Sequence, residues 1–357
     1  MKTKNLLSLL AIAGLMIFAS CKKDDPSPLT KEEAQTAITT VDGSYNTIKA
    51  EYDATTGVLV QETIYNLTLP FDAPKKAPAR LESIQKDLTR TIKPAFAKGG
   101  SDEFIYFNFP QWVGTWAYNT STLEWEKISP TPTDQVVIKF SYNGGTNNGT
   151  LTYYDYQTKT ANGQAYISQL KAKVDIDGQA SNPVMSWVYT ASKGLTNGSV
   201  TFVYNIGAFT QTESYSADIA ISNTTSKMNY SLSFEVKKNG AVIYSTSANI
   251  SMSGTQSTYT ATINAQLRVL DIIIKWDIDV DNTTNTENPN NFMKISVWKT
   301  NGAKVADVVL VYNAELQDYE PYFKFLDGTT VKASEYLHDL LYEIEDFMGS
   351  IMGFVQA

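Results

Sequence analysis

Met228-Asn229-Tyr230-Ser231-Leu232-Ser233-Phe234-Glu235-Val236 alternates apolar and polar side chains without a break. Successive side chains of a strand point to opposite faces, so this stretch reads as a strand with one buried and one wet face. The same period of two recurs upstream at Val136, Ile138, Phe140 and Tyr142, then at Tyr166, Leu170, Ala172, Val174 and Ile176. It returns at Val200, Phe202, Tyr204 and Ile206. Downstream, Asn301-Gly302 joins Met293–Trp298 to Val305–Tyr312, and Asp327-Gly328 closes a further hairpin. The fold class that follows is mainly β. A long antiparallel meander forms a curved sheet, half-barrel or barrel, with amphipathic helices at the N- and C-termini. A two-sheet sandwich satisfies the same alternation.

Two registers can be worked out in advance. At Asn239-Gly240 a two-residue loop sets Val236 opposite Ile243 and Phe234 opposite Ser245, which mixes the faces. A three-residue loop of Lys238-Asn239-Gly240 sets Val236 opposite Val242, Phe234 opposite Tyr244 and Met228 opposite Ile250. The three-residue loop is therefore expected. Further on, Tyr259, Ala261, Ile263, Ala265, Leu267 and Val269 are apolar at odd positions, and Ile272, Ile274, Trp276, Ile278 and Val280 at even ones. An unbroken strand over both would run on the order of 80 Å, so a bulge or corner is expected at Val269–Leu270.

The N-terminal part reads differently. Thr30-Lys31-Glu32-Glu33 is a capping box, and Ala34, Ile38, Val41, Tyr45 and Ile48 follow at helical spacing. Val58–Thr68 reads as a strand and Pro70–Pro78 as a loop. Leu81, Ile84, Leu88 and Ile92 form a second helical stripe ended by Pro94. Phe104–Phe109, Gly114–Tyr118 and Leu123–Ile128 read as short aromatic strands. A C-terminal helix from about Ser334 carries Leu337, Leu340, Leu341, Ile344, Phe347, Met348 and Ile351. The expected organisation is a leader over 1–20, a tether over 21–29, a helical and short-strand part over 30–134, and the meander with its helix over 135–357. The last two could form one continuous domain.

The chain has 357 residues, 29 Lys+Arg against 37 Asp+Glu, one His and one Cys. The acidic balance argues against nucleic acid, which needs clustered cations. One Cys excludes an internal disulfide, and one His excludes a multi-histidine metal site. Lys2 and Lys4, the apolar run Leu6–Phe18 and small Ala19 and Ser20 make the three-part pattern of a secretory signal peptide. The sole cysteine, Cys21, follows at once. Phe18-Ala19-Ser20-Cys21 resembles a bacterial lipobox, and Lys22-Lys23-Asp24-Asp25 resembles the export signal of Bacteroidota surface lipoproteins. The resemblance implies lipidation at Cys21 and an outer-membrane anchor, at the cell surface or on the periplasmic face. The membrane is then a partner through lipid alone.

Catalytic chemistry finds little footing. A Ser-His or Cys-His arrangement would need His338, which falls on the solvent flank of the C-terminal helix, and no G-x-S-x-G elbow occurs. Gly144-Gly145-Thr146-Asn147-Asn148-Gly149 lacks the Lys-Ser/Thr of a phosphate loop and sits between strands. Asp277, Asp279 and Asp281 begin like a calcium loop, but Asn282 and Asn288 stand where an EF-hand needs Gly and Glu. On a strand the three share one wet face about 6.7 Å apart, a weak metal candidate.

Aromatics offer more. Trp112, Trp116 and Trp125 place three of the six tryptophans close together. Gly114-Thr115-Trp116 resembles the G-x-W signature of lipocalins, ligand-holding barrels, and on that resemblance these tryptophans are candidate ligand contacts. The expected function is non-enzymatic, cofactor-free binding of an apolar or amphipathic small molecule in a curved sheet. The alternative is a surface glycan- or protein-binding module, for which two coplanar tryptophans on an exposed face would be the mark.

Overall fold

The computed structural model describes residues 26–69, 71, 106–119, 121–122, 124–192, 197–221, 225–255, 258–281, 283, 288–337, 341 and 344. The leader, Cys21, the Leu81–Ile92 stripe, His338 and nearly all of the Pro70–Pro78 loop lie outside them.

Sixteen strands form one hydrogen-bonded sheet. In chain order they are β1 (Gly114–Asn119), β2 (Glu124–Ser129), β3 (Val136–Phe140), β4 (Gly149–Ala161), β5 (Gln164–Ile176) and β6 (Met185–Ser192). There follow β7 (Gly198–Ile206), β8 (Phe209–Ile221), β9 (Ser226–Lys238), β10 (Ala241–Gly254), β11 (Tyr259–Val269) and β12 (Ile272–Asp281). The last four are β13 (Met293–Lys299), β14 (Lys304–Asn313), β15 (Asp318–Lys324) and β16 (Thr330–Lys332). From β3 to β16 every strand pairs with its sequence neighbours, antiparallel throughout; only β1 beside β3 runs parallel. The sheet is not closed, since β2 and β16 each have a single neighbour. One open sheet is therefore the outcome among barrel, half-barrel and sandwich. Edge strand β2 carries Glu124, Glu126 and Lys127, charges that discourage further pairing.

Three helices complete the described structure: α1 (Lys31–Asp53), α2 (Thr56–Asn66) and the single turn α3 (Phe109–Trp112). The capping box at Thr30 and Glu33 is formed as expected, and Ala34, Ile38 and Val41 are buried. Helix α1 lies against β12 and β14, and α2 against β6.

The structure corrects the reading of Val58–Thr68 as a strand, since α2 covers most of it. Its apolar run concealed a helical stripe, with Val60 and Ile64 one turn apart and both fully buried. Gly57 opens that stripe where a Cβ would come within 2.5 Å of the Val184 carbonyl oxygen and 2.6 Å of Ile206 Cγ2. The Phe104–Phe109 strand is also overturned over its described part. Residues 106–108 are irregular and Phe109 opens α3, with Pro110 pre-set for a first helical turn. Downstream of β16, Ala333–Glu335 form a 3-10 turn at the expected start of the C-terminal helix, and beyond it the described residues Leu341 and Ile344 are helical.

Both worked registers change. At Asn239-Gly240 the loop has two residues, with φ of 50° and 82°, the pair of positive values a type I′ turn needs. A bulge between Val242 and Tyr244 then restores the phase, so Val236 faces Tyr244, Phe234 faces Thr246 and Met228 faces Met252. The phase flip at Val269–Leu270 is a full reversal, not a bend. Val269 pairs with Ile272, and Leu270 takes a φ of 52° in a two-residue turn.

One sheet face is dry along most of its length and supports two separate cores. The first joins the inner residues of β3 to β7 with Val60, Ile64, Phe71, Phe107 and Phe109. The second joins the inner residues of β9 to β14 with Ala34, Ile38 and Val41 of α1, and extends to Leu337 and Ile344.

Candidate functional site

Strand β8 lies between the two cores, and its inner face breaks the apolar rule that its neighbours keep. The inward residues are Phe209, Gln211, Glu213, Tyr215 and Ala217, paired with Ile206, Tyr204, Phe202, Val200 and Gly198 of β7. On the other side Gln211 faces Val236, Glu213 faces Phe234 and Tyr215 faces Leu232 of β9. One strand further, Tyr244 and Thr246 of β10 continue the same rows. A carboxylate, a carboxamide and a hydroxyl thus stand in the middle of an otherwise hydrophobic face.

The carboxamide is fully engaged at both ends. Tyr52, in the last turn of α1, donates its hydroxyl to Gln211 Oε1 at 2.6 Å. Gln211 Nε2 in turn donates to the Glu213 carboxylate. A carboxylate oxygen accepts, so the N–H side of the amide is turned toward Glu213 and its oxygen toward Tyr52. Gln211 is 6% exposed, whereas Glu213, Tyr215, Phe234 and Tyr244 are only half-buried. The seam between the cores is thus less tightly covered than either core.

Helix α1 roofs this seam with its C-terminal half. The Tyr45 ring lies 6.1 Å from that of Tyr244, which in turn sits 5.9 Å from Phe234. Tyr52 meets Phe209 edge-on at 5.2 Å. Lys238, at the strand end nearby, pairs with Glu51 at 2.5 Å and lies over Phe209. Aromatic rings with a carboxylate between them make a surface suited to a molecule that is apolar along its length and polar at one point.

A second polar feature lies inside the first core. Tyr153 and Trp187 flank Ala172 on adjacent strands, both almost fully buried, with ring centroids 6.0 Å apart. The Tyr153 hydroxyl and the Trp187 indole N–H meet no hydrogen-bond partner among the described residues. Burial pushes the Tyr153 phenol far above its ordinary value, so it stays neutral.

The tryptophans singled out from sequence are brought together in part. Trp112 and Trp116 meet at 5.0 Å and 51°, Trp112 touches Phe71, and Trp116 donates its N–H to the Trp112 carbonyl at 2.8 Å. Trp125 stands on edge strand β2 against Tyr118 and donates to the Thr68 carbonyl at 2.8 Å. All three are half-buried, and Trp116 and Trp125 spend their indole N–H groups on backbone. They close one end of the first core, and Trp112 and Trp116 are tilted, not coplanar. Trp187 and Trp276 are interior, and Trp298 lies half-buried on the wet face beneath Lys275 and Lys304.

Asp277, Asp279 and Asp281 project in a row from the wet face of β12, each exposed. Asp279 accepts from Thr262 and Asp281 from Thr283, which holds the Asp281 carboxyl below the usual range. They do not converge, and no metal-holding group of three occurs among the described residues. A wide groove of about 450 Å³ between the first turns of α1 and the β11–β12 and β13–β14 turns is lined by Glu32, Glu33, Thr36, Asp271 and Lys299. Two of its three acids are already used, Glu33 in the capping box and Asp271 in an ion pair with Lys299 at 3.0 Å.

The sequence reading missed Gln211 and Glu213 because β8 has no clean alternation to announce it. The available signal was the reverse of the usual one. Phe209, Tyr215, Ala217 and Ile219 hold one parity, and two polar residues share it. Among the described residues no helix is long and apolar enough to cross a membrane. Comparison with family models, curated proteins and solved structures returned no match.

Proposed function

We propose that this chain is an outer-membrane lipoprotein, anchored through Cys21, that binds an apolar or amphipathic small molecule on the inner face of its open sheet without chemistry on it. The observation that carries the reading is the seam at β8. Two dry cores on one face are separated by half-buried rings and a hydrogen-bonded polar relay from Tyr52 through Gln211 to Glu213. A protein that needed only stability would be expected to continue the apolar face across the seam, because a polar group on a dry face costs free energy unless it is bonded. An amphipathic guest gives such groups a use. The anchor rests on the leader, the lipobox-like residues before Cys21 and the acidic and basic run after it.

The test is native mass spectrometry of the mature chain from residue 21, carrying Cys21→Ser and purified from cells. A retained mass of a few hundred daltons, lost on organic extraction and weakened by Phe234→Ala, is the expected result. A clean apo mass that no added amphiphile shifts would overturn the reading and move attention to recognition on the wet face.

A further inference from the structure

Resting on the Cys21 anchor of that reading, we propose that one corner of the wet face, beside the β13–β14 turn, docks on the bilayer. Trp298 and the cations around it are then seated among phosphate-bearing lipid headgroups. The tether fixes which end of the sheet is near the membrane. Pro26 packs over that turn, so close that a Cβ on Gly302 would come within 3.3 Å of Pro26 Cγ. Leu29 donates its N–H to the Lys304 carbonyl at 3.0 Å, which ties the chain to the start of β14. Cys21 and Pro26 are five positions apart, a span of at most about 18 Å even when fully extended. Lipid on Cys21 therefore holds this turn close to the bilayer and leaves the β14–β15 turn at the other end of the strands.

The wet face is charged to match. One row across it runs Arg268, Ile273, Trp298, Lys304, and the next runs Gln266, Lys275, Ser296, Asp307, Lys324. Asp307 is the one acid in those rows, and it is paired with Lys304 at 2.8 Å. Lys275 and Lys324 form no ion pair among the described residues. Away from the turn the sign changes. Asp277, Asp279 and Asp281 follow Lys275 along β12, and on β15 Glu320 and Asp318 lie on the far side of Lys324. The cations there are set against acids, Lys294 opposite Asp277 and Lys332 on Glu320 at 2.5 Å. A surface that is basic near its anchor and acidic away from it is oriented by an anionic membrane. Trp298 adds the ring that favours the headgroup level. It is half-buried, its N–H donates to Ser296 Oγ at 2.9 Å, and Lys275 and Lys304 lie 5.5 and 5.8 Å from its centroid. The two ammonium groups are thereby held beside the ring, where lipid phosphates would meet both.

The test uses the full lipidated chain, purified from membranes in detergent and returned to vesicles of phosphatidylglycerol and phosphatidylcholine. With lipid on the Cys21 sulfur, an introduced cysteine is the only thiol for a fluorophore. Thr300→Cys reports on the anchor end and Glu315→Cys on the far end, both exposed. Quenching by a nitroxide carried on lipid headgroups is expected to be about threefold or more stronger at 300 than at 315. In phosphatidylcholine alone, or with Lys275→Gln and Lys324→Gln together, it should fall at 300 to near the value at 315. Should the double variant fail to fold, the wild-type comparison of the two vesicles decides, with added salt acting in the same direction. Equal quenching at both ends in the anionic vesicles would overturn the docking and leave the anchor standing. Strong quenching at 300 that neither lipid charge nor salt alters would also overturn it, since the tether alone would then account for it. A chain that carries no lipid and stays out of the vesicle fraction would remove the anchor, and the docking with it.

Discussion

Tyr153 places a hydroxyl in the first core where nothing among the described residues accepts from it or donates to it, its ring centroid 6.0 Å from that of Trp187, whose N–H is equally unpartnered among them. A buried polar atom without a partner costs on the order of 1–3 kcal/mol. Tyr153→Phe, which deletes that oxygen and keeps the ring, is therefore expected to raise stability by about 1 kcal/mol in chemical denaturation. A loss of similar size would mean that the hydroxyl has a bonding partner, such as an enclosed water. Gly57 poses the opposite problem, since its missing side chain is what lets α2 reach the sheet. Gly57→Ala is expected to destabilise by about 2 kcal/mol, because the Cβ meets backbone that has little room to move. Unchanged stability would show that α2 can lift without cost. Neither residue could be recognised from sequence. A tyrosine among aromatics and a glycine before a valine look ordinary until their neighbours, far away in the chain, are known.

At the scale of elements, strand existence was legible and strand connection much less so. The period of two marked β3, β5, β7, β9, β11 and β12 because each buries one face. At Asn239-Gly240 face matching alone favours a three-residue loop. A bulge between Val242 and Tyr244 repairs the mismatch that a two-residue loop would otherwise leave. At Leu270 the change of phase was visible, but a leucine gives little hint of a left-handed turn residue. In α2, apolar residues at successive positions resembled a strand because length and periodicity did not separate the two. Elsewhere a side chain replaces a strand. Asn290 donates to the Leu310 carbonyl at 2.8 Å and accepts from its N–H at 3.0 Å, completing β14 where β13 no longer reaches. Asn290→Ala should cost about 2 kcal/mol and speed amide exchange at Leu310. Retained protection there would show that another group takes over.

For the whole molecule, the ring-rich interior governs behaviour in alkali. Burial pushes the Tyr156 phenol up to about 12 and shifts Tyr153, Tyr189 and Tyr230 upward as well. Each holds its proton more tightly folded than unfolded, where tyrosine ionises near pH 10. Their stabilisation is full below about pH 10 and is lost as pH rises toward the folded values. Tyrosinate absorbance and near-ultraviolet dichroism should thus change together, in one cooperative step above about pH 10. Gradual, independent titration of these four would contradict the burial. In acid the sign reverses. Lys332 and Lys171 hold Glu320 and Asp155 below the usual carboxylate range, so those contributions are lost as pH falls through it. Both pairs are at the surface and weigh little.

Neighbour-by-neighbour pairing lets most of the sheet assemble in the order in which it is synthesised, with short loops to close. Helix α1 is the exception. It precedes every strand, yet it docks on β12 and β14, and Gln35 donates to the Tyr336 hydroxyl 301 positions later. A chain emerging from its amino end would carry this helix unsheltered until the final third had appeared. Any truncation that removes β12 to β14 strands α1 as an exposed apolar stripe. It also takes the roof off the seam at β8, although every residue of that seam has been made.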